Sequence, residues 1–316
     1  LLDEKAEIGG TTIYQNSDNF KINSKVSSHW LNEEISELNK LENLEIKTRT
    51  SVAAYHGYNY LLARENLTDH LNKKEKQNKI RQRLLKIRAK KVIVATGSLE
   101  RPLIFNNNDR PGIMLSSAIK KYADYYGVIC GKKNVFFTNN DTAYESAISL
   151  INKGIKVEAI IDIREKSNSS IVQEAENLGL KIFWSHTVVD THGYKKLKKI
   201  SLMKLSKDGQ SIIGAKTKID CDCLGIAGGW TPAVHLFTQS GGKLKFRDED
   251  QVFIPNKYPS KQISIGSCNG DFELDEIIKN ISKSLKEFLE IDQTDYENLS
   301  VVNSKETDKK NIWLLP

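Results

Sequence analysis

Residues 91–97 read Lys-Val-Ile-Val-Ala-Thr-Gly (KVIVATG). A short apolar run that closes on Thr96 and Gly97 predicts a buried parallel strand stopping at its carboxyl end. There a small residue and a glycine let the backbone approach a ligand and turn sharply away. Upstream, alternating patterns from Val52–Tyr55 to Arg88 predict a meander of strands. Downstream, Cys221–Gly229 is a second strand ending in two glycines, and Gln262–Gly266 is a third strand ending in one. Helical periodicity lies between them, at Ser27–Lys40, Asp141–Asn152, Glu174–Leu180 and Glu273–Leu289. Strand and helix alternate for most of the 316 residues. This predicts a doubly wound α/β architecture of two Rossmann-like, FAD/NAD(P)-binding-type units, the second inserted into the first. The expected boundaries are 1–107 plus 255–316 for the first unit and 108–254 for the second.

The amino terminus supplies the next motif. Leu1-Leu2-Asp3-Glu4 reads as the end of a buried strand, with Gly9-Gly10 a few residues on. In a dinucleotide-binding βαβ unit an acid at the end of the second strand holds the ribose hydroxyls. Asp3, Glu4, Gly9 and Gly10 are therefore candidate cofactor-binding residues, as are Thr96 and Gly97. On this reading the glycine fingerprint for the pyrophosphate precedes Leu1. A surface turn would also account for an acid before Gly-Gly.

The second unit carries Val135-Phe136-Phe137-Thr138-Asn139-Asn140-Asp141-Thr142-Ala143 where a G-x-G-x-x-A loop belongs. Thr138 and Asn140 stand in place of glycines. Asn tolerates left-handed backbone angles, but its side chain fills the path of a pyrophosphate. Asp162, at the end of the following strand, lies where a ribose-binding acid is expected. The pattern predicts a degenerate nucleotide site.

Composition narrows the remaining possibilities. The chain is 39% hydrophobic and 28% charged, with a net charge of +7. No apolar run reaches the roughly 18 residues that span a bilayer. The densest basic stretch, Lys73–Lys91, has no interleaved aromatics for base stacking and reads as a solvated hairpin, not a nucleic-acid surface. Cys130, Cys221, Cys223 and Cys268 form no C-x-x-C pair. Cys221 and Cys223 are expected on one face of a strand, and all four cysteines as reduced and structural in a cytoplasmic protein. The six histidines show no ligand spacing, so no metal site and no catalytic acid, base or nucleophile is assigned. After Ile291 the polar sequence predicts a linker or extended tail.

Four strings resemble the alpha subunit of heterotetrameric sarcosine oxidase. They are TSVAAYHGYNYLLARENLTDHL (50–71), RQRLLKIRAKKVIVATGSLERPLIFNNNDRPGIMLSSA (81–118), KNVFFTNNDTAYESA (133–147) and GIAGGWTPAVHLFTQSGGKL (225–244). The resemblance implies oxidative demethylation of sarcosine, with the chemistry on a beta subunit that carries FAD. It implies FMN near the alpha–beta boundary, NAD on this subunit, smaller partner subunits, and folate chemistry beyond Pro316. It adds Val52, acting through its backbone, and Gly266 to the cofactor-facing positions. Ser267-Cys268 follow Gly266 where related enzymes place an Asp. Two other readings stay open. One is a FAD/NAD(P)-dependent oxidoreductase, or an alpha-type subunit of a proline, opine or cyanide-forming dehydrogenase. The other is a structural module without bound nucleotide.

Overall fold

A computed structural model of the chain describes residues 1–14, 21–259, 261–291, 299–302 and 309–316. The architecture is α/β, and the chain divides into two units. The first comprises residues 1–98 and 232–303, the second 99–231 and 304–316.

In the first unit the KVIVATG stretch forms the strand Val92–Val94, paired in parallel with Gln262–Ser264. Residues 1–3 run beside 45–50, with a parallel bridge from Leu2 to Lys47. The predicted meander is Thr50–His56, Tyr60–Asn66 and Gln82–Arg88, antiparallel throughout. The basic segment thus contributes the third strand of this sheet, preceded by a helical turn at Lys73–Lys76. Tyr55, Leu61, Val94 and Cys268 are buried together, with Val52 and Val92 packed against them. This cluster joins the meander to the parallel pair. Leu274–Leu289 is the long helix expected after the third strand. The helix Ser27–Leu38 starts without a side-chain cap from Ser27 or Ser28, its N-cap being Val26.

The second unit is built on a five-stranded sheet in the order Ile182–Trp184, Val157–Asp162, Asn134–Thr138, Cys223–Ala227, Ile113–Leu115. Every pairing in it is parallel. Side chains of such a sheet alternate between its faces, and both faces are covered. Val135, Phe137, Ile161, Leu224 and Ile226 pack into one cluster. Phe136, Ile160, Cys223 and Ala227 pack into another, against the helices Thr142–Asn152 and Ser170–Asn177. An antiparallel meander, His186–His192, Lys199–Leu205 and Ile212–Asp220, follows the sheet's edge strand.

Three expectations need correction. The strand begins at Cys223, so Cys221 lies outside its alternation. The two cysteines therefore join different clusters rather than sharing a face. Residues 99–107 and 304–316, expected in the first unit, lie in the second, and 232–254 lie in the first. The physical reason is local bonding: Ile104 pairs with Leu314, while Ala233 donates its N–H to Gly97 O at 3.0 Å. The described parts of the polar carboxyl-terminal segment are also not a free tail. Val301–Val302 pairs with Lys21–Ile22, and residues 310–315 are hydrogen-bonded to the second unit.

The sequence reading passed over Glu100. Its Oε2 accepts hydrogen bonds from Ser117 N at 2.9 Å and Ser117 Oγ at 2.6 Å, at the start of the helix Ser116–Asp124. Its Oε1 is buried without a protein partner. Burial pushes the carboxyl up to about 7, against the opposing pull of the Ser117 bonds.

Candidate functional site

The eight candidate cofactor residues all fall in the first unit. Gly97 and Gly266 terminate the two parallel-paired segments, and both are in the left-handed region, at φ 75° and 68°. Ile265 N–H donates to Val94 O at 3.0 Å, and Cys268 Sγ to the same carbonyl at 3.2 Å. A side chain on Gly97 would point towards Ser267 Oγ, 4.0 Å from its Cβ. The KVIVATG strand and the strand before Gly266 therefore meet at one sheet end. That end presents backbone and small side chains, the surface that close approach of a ligand needs. Thr96 is exposed, but its hydroxyl donates to Ala233 O at 2.8 Å. Its role in this structure is to tie the strand end to residue 233.

Asp3 is half-buried and Glu4 exposed. The Asp3 carboxylate accepts from Lys5 N at 2.8 Å, a local turn that fixes its direction. Its backbone accepts from Thr50 N at 2.8 Å. Thr50 opens the strand that carries Val52, and Val52 packs on the Val94–Cys268 cluster. Asp3 is thus linked to the Gly97 end through Thr50 and Val52. Among the described residues no hydrogen bond or ion pair joins Asp3 or Glu4 to Thr96 or Gly97.

Gly9 and Gly10 have φ of 125° and 63°. A Cβ on Gly9 would stand 2.5 Å from Leu31 Cδ2 on the helix Ser27–Leu38, whereas one on Gly10 would meet open space. Gly9 is therefore a packing position. Gly9→Ala is expected to destabilise the first unit by about 1–2 kcal/mol through strain and overpacking, measured as a lower urea midpoint with unchanged slope. An unchanged midpoint would show that Leu31 is not pressed against this turn.

In the second unit the loop after Asn134–Thr138 is closed by its own side chains. Thr138, Asn139, Asn140 and Asp141 are all buried. None of them adopts a positive φ, so Asn140 acts through its side chain and not through left-handed backbone. Its Oδ1 accepts from Thr142 N at 2.8 Å and its Nδ2 donates to Asn139 Oδ1 at 2.7 Å. Asn140 N donates to Thr138 Oγ1, and Asn139 N to Ala227 O. The N–H groups of Asn139, Asn140 and Thr142, which lie where a pyrophosphate would be cradled at a helix start, are already engaged.

Asp162 is equally committed. Arg164 reaches it with Nε at 3.0 Å and Nη2 at 2.7 Å, and Tyr144 donates its hydroxyl to Oδ2 at 2.8 Å. The same guanidinium bonds Asp141 Oδ1 at 2.7 Å. Both carboxylates and the guanidinium are buried. Burial pushes the Asp162 carboxyl up, opposed by the bonds from Arg164 and Tyr144. Burial would lower the Arg164 value, but pairing with Asp162 and Asp141 outweighs it and holds the guanidinium above its ordinary value. The sequence analysis assigned no role to Arg164. The signal lay in its spacing, two residues beyond an acid at a strand end.

Among the described residues no group of His, Cys, Asp and Glu could hold a metal ion, and no helix is long and apolar enough to cross a membrane.

No protein-family model matches the chain. Sarcosine oxidase subunit alpha of Corynebacterium sp. strain P-1 is 34% identical over 275 residues, 86% of this chain. The subunit alpha of Rhizobium meliloti is 31% identical over 276 residues, 85% of this chain. Over that stretch the chain is similar to the sarcosine oxidase alpha subunits. It spans 28% and 26% of those two members' own lengths. Among solved structures, L-proline dehydrogenase from P. horikoshii matches with a TM-score of 0.62 at 20% identity, covering 96% of this chain and 55% of that one. T. acidophilum thioredoxin reductase matches with a TM-score of 0.62 at 16% identity, covering 91% and 87%. These two likenesses establish the fold alone: the chain shares its α/β architecture with these two proteins.

Proposed function

We propose that the first unit binds NAD, as the nucleotide-binding region of the alpha subunit of a multisubunit complex that oxidises sarcosine. The observation that carries this reading is the meeting of Gly97 with Gly266 and Ser267 at one end of a parallel strand pair. Asp3 would accept hydrogen bonds from the ribose hydroxyls through its remaining oxygen, with Glu4 beside it. The Val52 backbone would face the adenine. Gly97 and Gly266 would let the cofactor lie against bare backbone. Bound NAD would supply no catalytic group from this chain, and none of its side chains is assigned a step in amine oxidation. On this reading FAD and FMN belong to the complex, mainly on the beta subunit.

The test is to express the full-length parent with its partner subunits and identify the bound cofactors by mass. NAD, FAD and FMN together with sarcosine oxidation are expected. The variants Asp3→Asn and Glu4→Gln keep the shape of the turn and remove a charged acceptor. A hydrogen bond to a charged group contributes about 1.5–3 kcal/mol, so NAD affinity should fall roughly ten- to a hundredfold. A flavin retained by the alpha subunit alone would instead favour an autonomous FAD/NAD(P)-dependent oxidoreductase. For the second unit, the buried Asp162–Arg164–Asp141 network favours a structural role without nucleotide.

A further inference from the structure

In the second unit the sheet's chain order reverses between Asn134–Thr138 and Cys223–Ala227. Units of this architecture receive their ligand outside the carboxyl ends of the strands at that switch point. Here the position is taken by the chain itself. Lys310 N–H donates to Asn139 O at 3.0 Å, and Asn139 Nδ2 returns bonds to Lys310 O at 3.0 Å and Ile312 O at 3.4 Å. Trp313 Nε1 donates to Gly228 O at 2.5 Å, just past the end of the neighbouring strand. The Arg101 guanidinium lies 3.6 Å from the centre of the Trp313 ring. Ile104 N–H donates to Trp313 O, and Leu315 N–H to Ile104 O.

Two glycines make room for this segment. A Cβ on Gly209 would fall 2.2 Å from Ile312 Cδ1, while one on Gly228 would meet Arg101 O at 2.7 Å and Pro102 O at 3.0 Å as well as Trp313 Cδ1 at 3.1 Å. Ile312 and Trp313 pack on the cluster formed by Val135, Phe137 and Leu224, and Leu315 is buried within it. The segment is therefore held by reciprocal hydrogen bonds, a cation–π contact and apolar burial. Its anchors are the ends of the two strands that flank the switch point.

We propose that residues 309–316 are a resident peptide ligand of the second unit, seated where this fold takes a dinucleotide and excluding one. The proposal goes beyond the NAD reading of the first unit and does not depend on it. Its test is amide hydrogen exchange on the full-length parent, with and without 1 mM NAD. The Lys310 and Leu315 amides should exchange at least a hundredfold more slowly than in a free peptide. In Trp313→Ala their protection should fall at least tenfold, while Phe136 and Ile160 keep theirs. Asn139→Ala, which leaves the apolar contacts in place, gives the same comparison should Trp313→Ala unfold the unit. NAD should leave the amides of Asn139, Thr142, Gly228 and Gly229 unchanged. Free exchange at Lys310 and Leu315, or NAD-dependent protection at Gly228 and Gly229, would overturn the proposal. The NAD response of Gly97 and Gly266 reports on the first unit separately.

Discussion

Arg164→Met is expected to cost the second unit about 3–5 kcal/mol, the usual loss when one partner of a buried ion pair is removed. Arg164 neutralises Asp162 and Asp141 at once, and all three side chains are buried. Met fills comparable space but leaves two carboxylates without a counter-charge. Asp141 Oδ2 already lacks a partner, so the network has no reserve donor on that side. Urea unfolding followed by Trp184 fluorescence would measure the loss, since Trp184 stacks near Tyr144, which bonds Asp162. Adding Asp162→Asn to Arg164→Met should recover part of the stability by removing one stranded charge. A loss below about 1 kcal/mol would mean that water reaches these carboxylates and that the unit is not closed around them.

The second large effect depends on pH. The Glu100 carboxyl is pushed from an ordinary 4.5 up to about 7 in the folded chain. The folded state therefore holds this proton more tightly than the unfolded state does. The corresponding stability is complete below pH 4.5 and is lost as pH rises from there to about 7. One pKa unit corresponds to 1.36 kcal/mol, so the whole shift amounts to roughly 3 kcal/mol. Glu100→Gln keeps an oxygen for Ser117 and cannot ionise. It should be more stable than the parent by about 2–3 kcal/mol at pH 8.5, with the advantage disappearing towards pH 4.5. Parallel stability curves for the two proteins across that window would show that Glu100 is solvated.

Much of the fold was legible because its signals are local. The helix beginning after Asp141 and the helix ending at Leu289 follow the periodicity of their apolar residues, and Gln262–Ser264 the short run before Gly266. The meander before KVIVATG was equally plain, including the alternation up to Arg88 that forms its third strand, Gln82–Arg88. What the sequence did not reveal depends on partners distant along the chain. Asp162 looks like a ribose acid until Arg164 and Tyr144 are seen on it. Glu100 carries no signal of its own until Ser117 is seen bonded to it. The segment 309–316 looks polar at Lys309, Lys310 and Asn311, and its apolar residues are too few to show periodicity. Of the candidate cofactor residues, Gly97 and Gly266 are brought together, and Asp3 reaches them only by way of Thr50 and Val52. Thr96 turns its hydroxyl to Ala233, a bond between residues too far apart in sequence for pattern to reveal.

Each unit is assembled from two stretches of chain. Asn139 and Lys310, whose bonds close the second unit's switch point, are 171 positions apart. A ribosome making this polypeptide finishes all five parallel strands long before it reaches Ile312 and Trp313. During that interval the nascent second unit carries an uncovered apolar seam and unanswered polar groups at Asn139 and Gly228. Such exposed surface is what chaperones and premature association act on. The order of synthesis therefore makes this seam the last part of the second unit to become safe from aggregation.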